Sequence, residues 1–98
     1  MRRVTAIQPG QIFCSQQHRA AFQNRHRIRG RQLVPFAMAD RVTRSGTAGT
    51  PDAREAGKQA RAVTQRLIAR WVAEDKAAGR MSMVDYVRRL GKHHELPL

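Results

Sequence analysis

Most of the residue types that build an enzyme site or a deep core are scarce in this chain. Its 98 residues include one cysteine, one tryptophan, one tyrosine, three phenylalanines and seven acidic side chains. One cysteine cannot close an internal disulfide, and no apolar leader follows Met1, so a reducing, cytoplasmic setting is expected. No apolar run approaches the roughly 20 residues that a membrane-spanning helix needs, so no transmembrane segment is expected. The sparse acids form no catalytic carboxylate pair, and neither a nucleophile triad nor a phosphate-cradling glycine loop can be assembled. Enzymatic activity is therefore not expected. Trp71 and Tyr86 both fall in the C-terminal half, which argues against an aromatic platform for stacking single-stranded bases.

Basic side chains are abundant. Lys and Arg number 19, for a formal net charge of +12 and a pI of about 11.8. The apolar fraction is padded by 14 alanines, while Leu, Ile, Val and Phe together supply only 19 residues. Such a chain has length for one small domain but little with which to drive its collapse, and its charge repels itself. A polyanionic partner offsets that repulsion, and nucleic acid is the commonest polyanion in a cell.

The basic charge is densest over residues 12–31, IFCSQQHRAAFQNRHRIRGR, which holds Cys14, His18 and five arginines without one acid. Upstream, Val4 and Ile7, the turn pair Pro9-Gly10, then Ile12 and Phe13 allow a short β-hairpin, which needs a helix or a metal to hold it. Ser15 is placed to cap a helix over 16–29 that stops at Gly30. A second basic helix is expected over 33–44, with Pro35 in its first turn. Residues 1–44 thus read as a basic unit, and the glycines, hydroxyls and proline of 45–51 as a flexible linker.

Beyond the linker, Asp52 and Glu55 match a capping box. Ala56, Ala60, Val63, Leu67, Ile68, Trp71 and Val72 then recur at the spacing of a long amphipathic helix ending near Gly79. Ser82 caps a short helix whose Val84, Val87 and Leu90 are expected to fold back on Leu67 and Trp71, burying Tyr86 and Val87. This reading makes 52–91 a helical pair and 92–98 a frayed tail. The expected fold is mostly α: an optional N-terminal hairpin, two basic helices, then the long and short helices packed together.

FCSQQHRAAFQNR, followed by RGR and then LVPFAMADR, resembles small bacterial zinc-finger-like proteins in which a Cys-x-x-Cys knuckle precedes a Phe-Cys-Ser-x-x-His-Arg helix. The resemblance covers residues 10–44, and Trp71, Glu74, Asp75 and Gly79 are more loosely similar to the tails of those proteins. It implies that Cys14 and His18 are the second pair of zinc ligands. This chain carries no first pair, so the site is incomplete and no cofactor is expected. Zinc enters only if other ligands close the shell, from an upstream knuckle, a second copy, or His93 and His94.

Arg19, Arg25, Arg27, Arg29 and Arg31 form the second constellation, because guanidinium forks match phosphate oxygens and a basic helix can lie along a phosphate backbone. Gln23, Asn24 and His26 are interleaved where they can reach base edges. The expected function is accessory nucleic-acid binding. The rival expectation is a helical interaction module, with the stripe that starts at Ala56 and ends at Val72 docking on a protein partner or on a second copy.

Overall fold

The computed structural model describes Phe13 and residues 15–97, and the chain there is mostly helical. Its three helices are α1, Gln16–Val42, α2, Pro51–Ala77, and α3, Met83–Lys92. No strand occurs among the described residues. The expected fold is corrected in two respects. One long N-terminal helix replaces two basic helices, and α2 packs along α1 instead of pairing with α3, while the hairpin expected over 1–13 lies, apart from Phe13, outside the described residues.

Each helix begins where a hydroxyl closes its first turn. Ser15, Thr50 and Ser82 accept hydrogen bonds from the backbone N–H of His18, Ala53 and Asp85, each at 3.1 Å. Pro51 takes the first position of α2, where its missing N–H costs nothing. α1 then runs through Gly30 and Pro35, which cost a helix interior about 1 and about 3 kcal/mol. What outweighs them is a continuous packed face. Phe22, His26, Arg29, Leu33, Ala37 and Asp40 recur at spacings of three and four, and each is buried or half-buried. On α2 the matching face is Ala53, Gly57, Ala60, Thr64, Leu67, Trp71 and Asp75. Ile68 and Val72, expected on that stripe, lie at its margin, 44% and 57% exposed.

The two 27-residue helices form an antiparallel hairpin, each about 40 Å long at 1.5 Å per residue. The joining segment is a hydrogen-bonded turn. The Thr43 carbonyl accepts from the N–H groups of Gly46, Thr47 and Ala48, and the Thr43 hydroxyl donates to the Ala39 carbonyl at 2.7 Å. Gly46 and Gly49 take φ of +88° and +101°, backbone that favours glycine. The turn is fastened to α2 by Arg54, which donates to the Gly49 carbonyl at 2.6 Å, and by Arg61, which donates to Ser45 Oγ at 2.9 Å.

The molecule measures 61 × 29 × 17 Å. Its thin dimension has room for little more than one helix with its side chains, so the packed faces are seams and not an interior. Phe22 and Ala60 are the buried apolar residues found among those described, and no side chain there is fully buried. After α2, Gly79 turns the chain at φ +69° and the Arg80 N–H donates to the Asp75 carbonyl. α3 then folds back toward the start of α1, not onto Leu67 and Trp71. Tyr86 packs against Phe22 with ring centroids 4.5 Å apart and planes tilted by 43°, while Val84 and Val87 stay 71% and 51% exposed.

Candidate functional site

The far end of the hairpin from the turn gathers the first half of α1, the end of α2 and the segment leading into α3. At its centre Arg29 and Asp75 meet, both buried. Arg29 Nη1 donates to Asp75 Oδ2 and Nη2 donates to Oδ1, each at 2.9 Å, a bidentate fork. Arg29 Nη2 also reaches Glu74 Oε1 at 3.4 Å, and Arg80 Nη1 donates to Asp75 Oδ1 at 2.9 Å. The Arg29 guanidinium lies 5.4 Å from the centroid of the Trp71 ring, within range of a cation–π attraction.

Charge in this cluster is unevenly satisfied. Hydrogen bonds from Arg29, reinforced by Arg80, hold the Asp75 carboxyl down at about 2, against the opposing effect of its burial. The same pairing raises the affinity of Arg29 for its proton. Arg25 is pushed the other way, first by burial and then by the positive charge of Arg80. Its Nε is shielded from solvent without a hydrogen-bond partner, and its guanidinium lies 5.9 Å from the centroid of the Phe22 ring. His26 packs against that ring at 4.1 Å with the planes tilted by 41°, and burial followed by repulsion from Arg29 and Arg25 lowers its proton affinity.

These geometries divide the five arginines expected to clamp phosphate. Arg29 is committed to Asp75, and Arg25 is half-buried beside it. Arg19, Arg27 and Arg31 are exposed on other sides of α1, with Arg27 also donating to Asn24 Oδ1 at 2.9 Å. Cys14 lies outside the described residues, and His18 is exposed on the first turn of α1. Among the described residues no three His, Cys, Asp or Glu side chains stand together where they could hold a metal ion, and no helix is long and apolar enough to cross a membrane.

Beside the cluster a cleft of about 560 Å³ opens between α1, the segment after α2 and α3. Arg25, Arg80, Arg89 and His18 line it with Phe13 and Phe22, and among the described residues no carboxylate does. Residue types alone do not single out Asp75, Arg80 or Tyr86 as members of one site. The usable signal was positional: Asp75 continues the spacing of Leu67 and Trp71 as the one acid on that stripe. An acid there is buried once the helix packs, and it then needs a cation opposite.

Comparison with family models, curated proteins and solved structures finds no match to this chain.

Proposed function

We propose that the protein is a non-enzymatic nucleic-acid-binding accessory protein that engages the phosphate backbone through the outward side of α1. The observation that carries this reading is the pairing of Arg27 with Arg31, one helical turn apart and both exposed, with Arg19 exposed nearer the helix start. α1 has no acid before Asp40, so nothing on the helix itself neutralises that row. Exposed Arg66 and Arg70 on α2 add to the positive field, and the net charge of +12 favours encounter with any polyanion. Arg29 is left out of this role, because turning it toward phosphate would strand Asp75 as a buried unpaired charge.

The test is binding of a fluorescent duplex measured across a salt series. Affinity should fall steeply as salt rises. Arg27→Gln with Arg31→Gln should weaken it and reduce the slope of log affinity against log salt by about 2, roughly one for each phosphate that is no longer neutralised. Absence of binding at low salt, or an unchanged slope in the double variant, would sink the proposal. A protein-docking role rests on the exposed Ile68 and Val72 at the margin of the α2 stripe. Self-association that disappears in Ile68→Ser with Val72→Ser, in a chain that does not bind duplex, would favour that role instead.

A further inference from the structure

The cleft beside the Arg29–Asp75 pair has the make-up of a small-molecule site, and its chemistry is distinct from that of the exposed arginine row. Its volume of about 560 Å³ falls in the range of roughly 300–1,000 Å³ typical of ligand pockets. One wall is apolar and aromatic, formed by Phe13 and Phe22 with Ala21 and Met81, and the two rings are held together at 4.7 Å between centroids. Among the described residues the charged groups on its lining are the guanidiniums of Arg25, Arg80 and Arg89, with the His18 imidazole beside them. Asp75 sits behind this lining, already engaged by Arg29 and Arg80.

Arg25 is the telling member. It is half-buried, its Nε has no hydrogen-bond partner, and burial followed by the charge of Arg80 weakens its hold on its proton, with Asp75 opposing them only in part. A cation kept where water is partly excluded, and only partly offset by Asp75, gains from a further anion entering the cleft beside it. Arg80 is already positioned, since Nη1 is tied to Asp75 while 36% of its side chain remains exposed. A planar fork fixed at one end and open at the other suits the tetrahedral oxygens of a phosphate.

We propose that this cleft binds the phosphate of a nucleotide, with Arg25 and Arg80 on the phosphate and the base against the half-buried Phe13 ring. The nucleotide is either free or the phosphorylated end of a strand, since both present the same terminal group. The site does not depend on the duplex-binding reading, because Arg27 and Arg31 take no part in it.

The experiment is an amide-resolved NMR titration of the 98-residue chain with adenosine monophosphate, inorganic phosphate and adenosine. Two otherwise identical short oligonucleotides, one with a 5′-phosphate and one with a 5′-hydroxyl, complete the set. Adenosine monophosphate should give saturable shifts at Phe22, Arg25 and residues 78–81, inorganic phosphate weaker shifts at the same places, and adenosine only weak shifts near the aromatic wall and none at 78–81. Arg25→Gln should weaken binding about tenfold, the value of one charge-assisted hydrogen bond, while Arg27→Gln with Arg31→Gln leaves it within about twofold. A phosphorylated oligonucleotide that displaces the mononucleotide at the same amides identifies a strand end as the ligand. Displacement by neither oligonucleotide identifies the free nucleotide. Circular dichroism checks the fold of Arg25→Gln, and if that variant is unfolded the position of the wild-type shifts decides alone. Saturable shifts absent from 78–81 with every phosphate ligand, or equal affinity in a folded Arg25→Gln, would overturn the proposal. Absence of duplex binding by the native chain at low salt, with mononucleotide binding present, would refute the backbone reading and leave this one standing.

Discussion

Arg29 and Asp75, 46 positions apart in the chain, share two hydrogen bonds of 2.9 Å, and each is less than one-tenth exposed. The pair locks the first half of α1 to the end of α2. Removing one partner leaves a buried charge without compensation, a cost of about 3 to 5 kcal/mol. A chain with so little buried apolar surface has few kilocalories to spare. Arg29→Met and Asp75→Asn should each therefore lose most of their helical signal at 25 °C, or melt far below the native chain. The double change Arg29→Met with Asp75→Leu should recover much of the loss, because it removes both charges and keeps the volume. Urea titration followed by circular dichroism distinguishes this from a pair of no consequence, for which all three variants would unfold with the native midpoint.

The same cluster fixes how stability responds to acid. Asp75 is held at about 2 in the folded chain, against an ordinary value of 3.8, so its contribution is complete above that ordinary value. It is lost as pH falls toward 2, and it amounts to about 2 kcal/mol. His26 acts in an earlier window. Burial and the nearby arginines lower its proton affinity, so below pH 6.5 the unfolded chain takes up the proton more readily and stability falls. Acid titration of the urea midpoint should therefore show two declines, one beginning near 6.5 and one below 4. His26→Gln should remove the first and spare the second. A midpoint flat from pH 7 to 4.5 in the native chain would refute the role given to His26.

Two helical glycines make opposite predictions. A Cβ on Gly57 would collide with Thr43 Oγ1 and come within 2.7 Å of Thr43 Cβ, at the point where α2 passes under the turn. At Gly30 an added Cβ meets nothing within 4 Å. Gly57→Ala should destabilise by about 1 to 3 kcal/mol through forced separation of the turn from α2. Gly30→Ala should stabilise by about 0.5 to 1 kcal/mol, since it only restricts the unfolded chain and improves helix propensity. Thermal melts of the two variants should shift in opposite directions, and an upward shift in both would show that helix propensity alone governs this hairpin.

The contrast between these glycines also shows what was legible in the sequence. Ser15 and Ser82 announced their helix starts, because a hydroxyl cap is a local signal. Gly30 and Pro35 are equally local signals for a stop, yet α1 continues through them because tertiary packing outweighs propensity. Its packed face is hard to recognise, since His26, Arg29 and Asp40 interrupt the apolar series that marks a buried stripe. Polar residues on that face make sense only against a partner helix that carries their counter-charges. The exposed members of the arginine row and the buried ones look alike for the same reason: five arginines within 13 positions show charge density, and only packing against α2 separates Arg29 from Arg27.

The last expectation concerns α3, whose described ring contacts all run through Tyr86. None of its ten residues is buried, and its ring contacts run through Tyr86 to Phe22 and to Phe13, the latter at 6.1 Å. Such aromatic pairs contribute about 0.5 to 1.5 kcal/mol beyond their area, and a half-buried ring adds a fraction of the full burial term. Tyr86→Ala should therefore release α3 at a cost of about 1 to 3 kcal/mol without unfolding the hairpin. Hydrogen exchange gives the discriminating readout. Amides of residues 86–92 should lose their protection in the variant, while those of residues 33–40 and 57–67, in the middle of the α1–α2 seam, should keep theirs. Tyr86→Phe should behave as the native chain, because the ring and not the hydroxyl makes these contacts. If α3 stays protected in Tyr86→Ala, its docking rests on other groups and the aromatic cluster is not what holds it. If the seam loses protection together with α3, the three helices open as a single unit, and the cleft beside Arg25 cannot open independently of the hairpin.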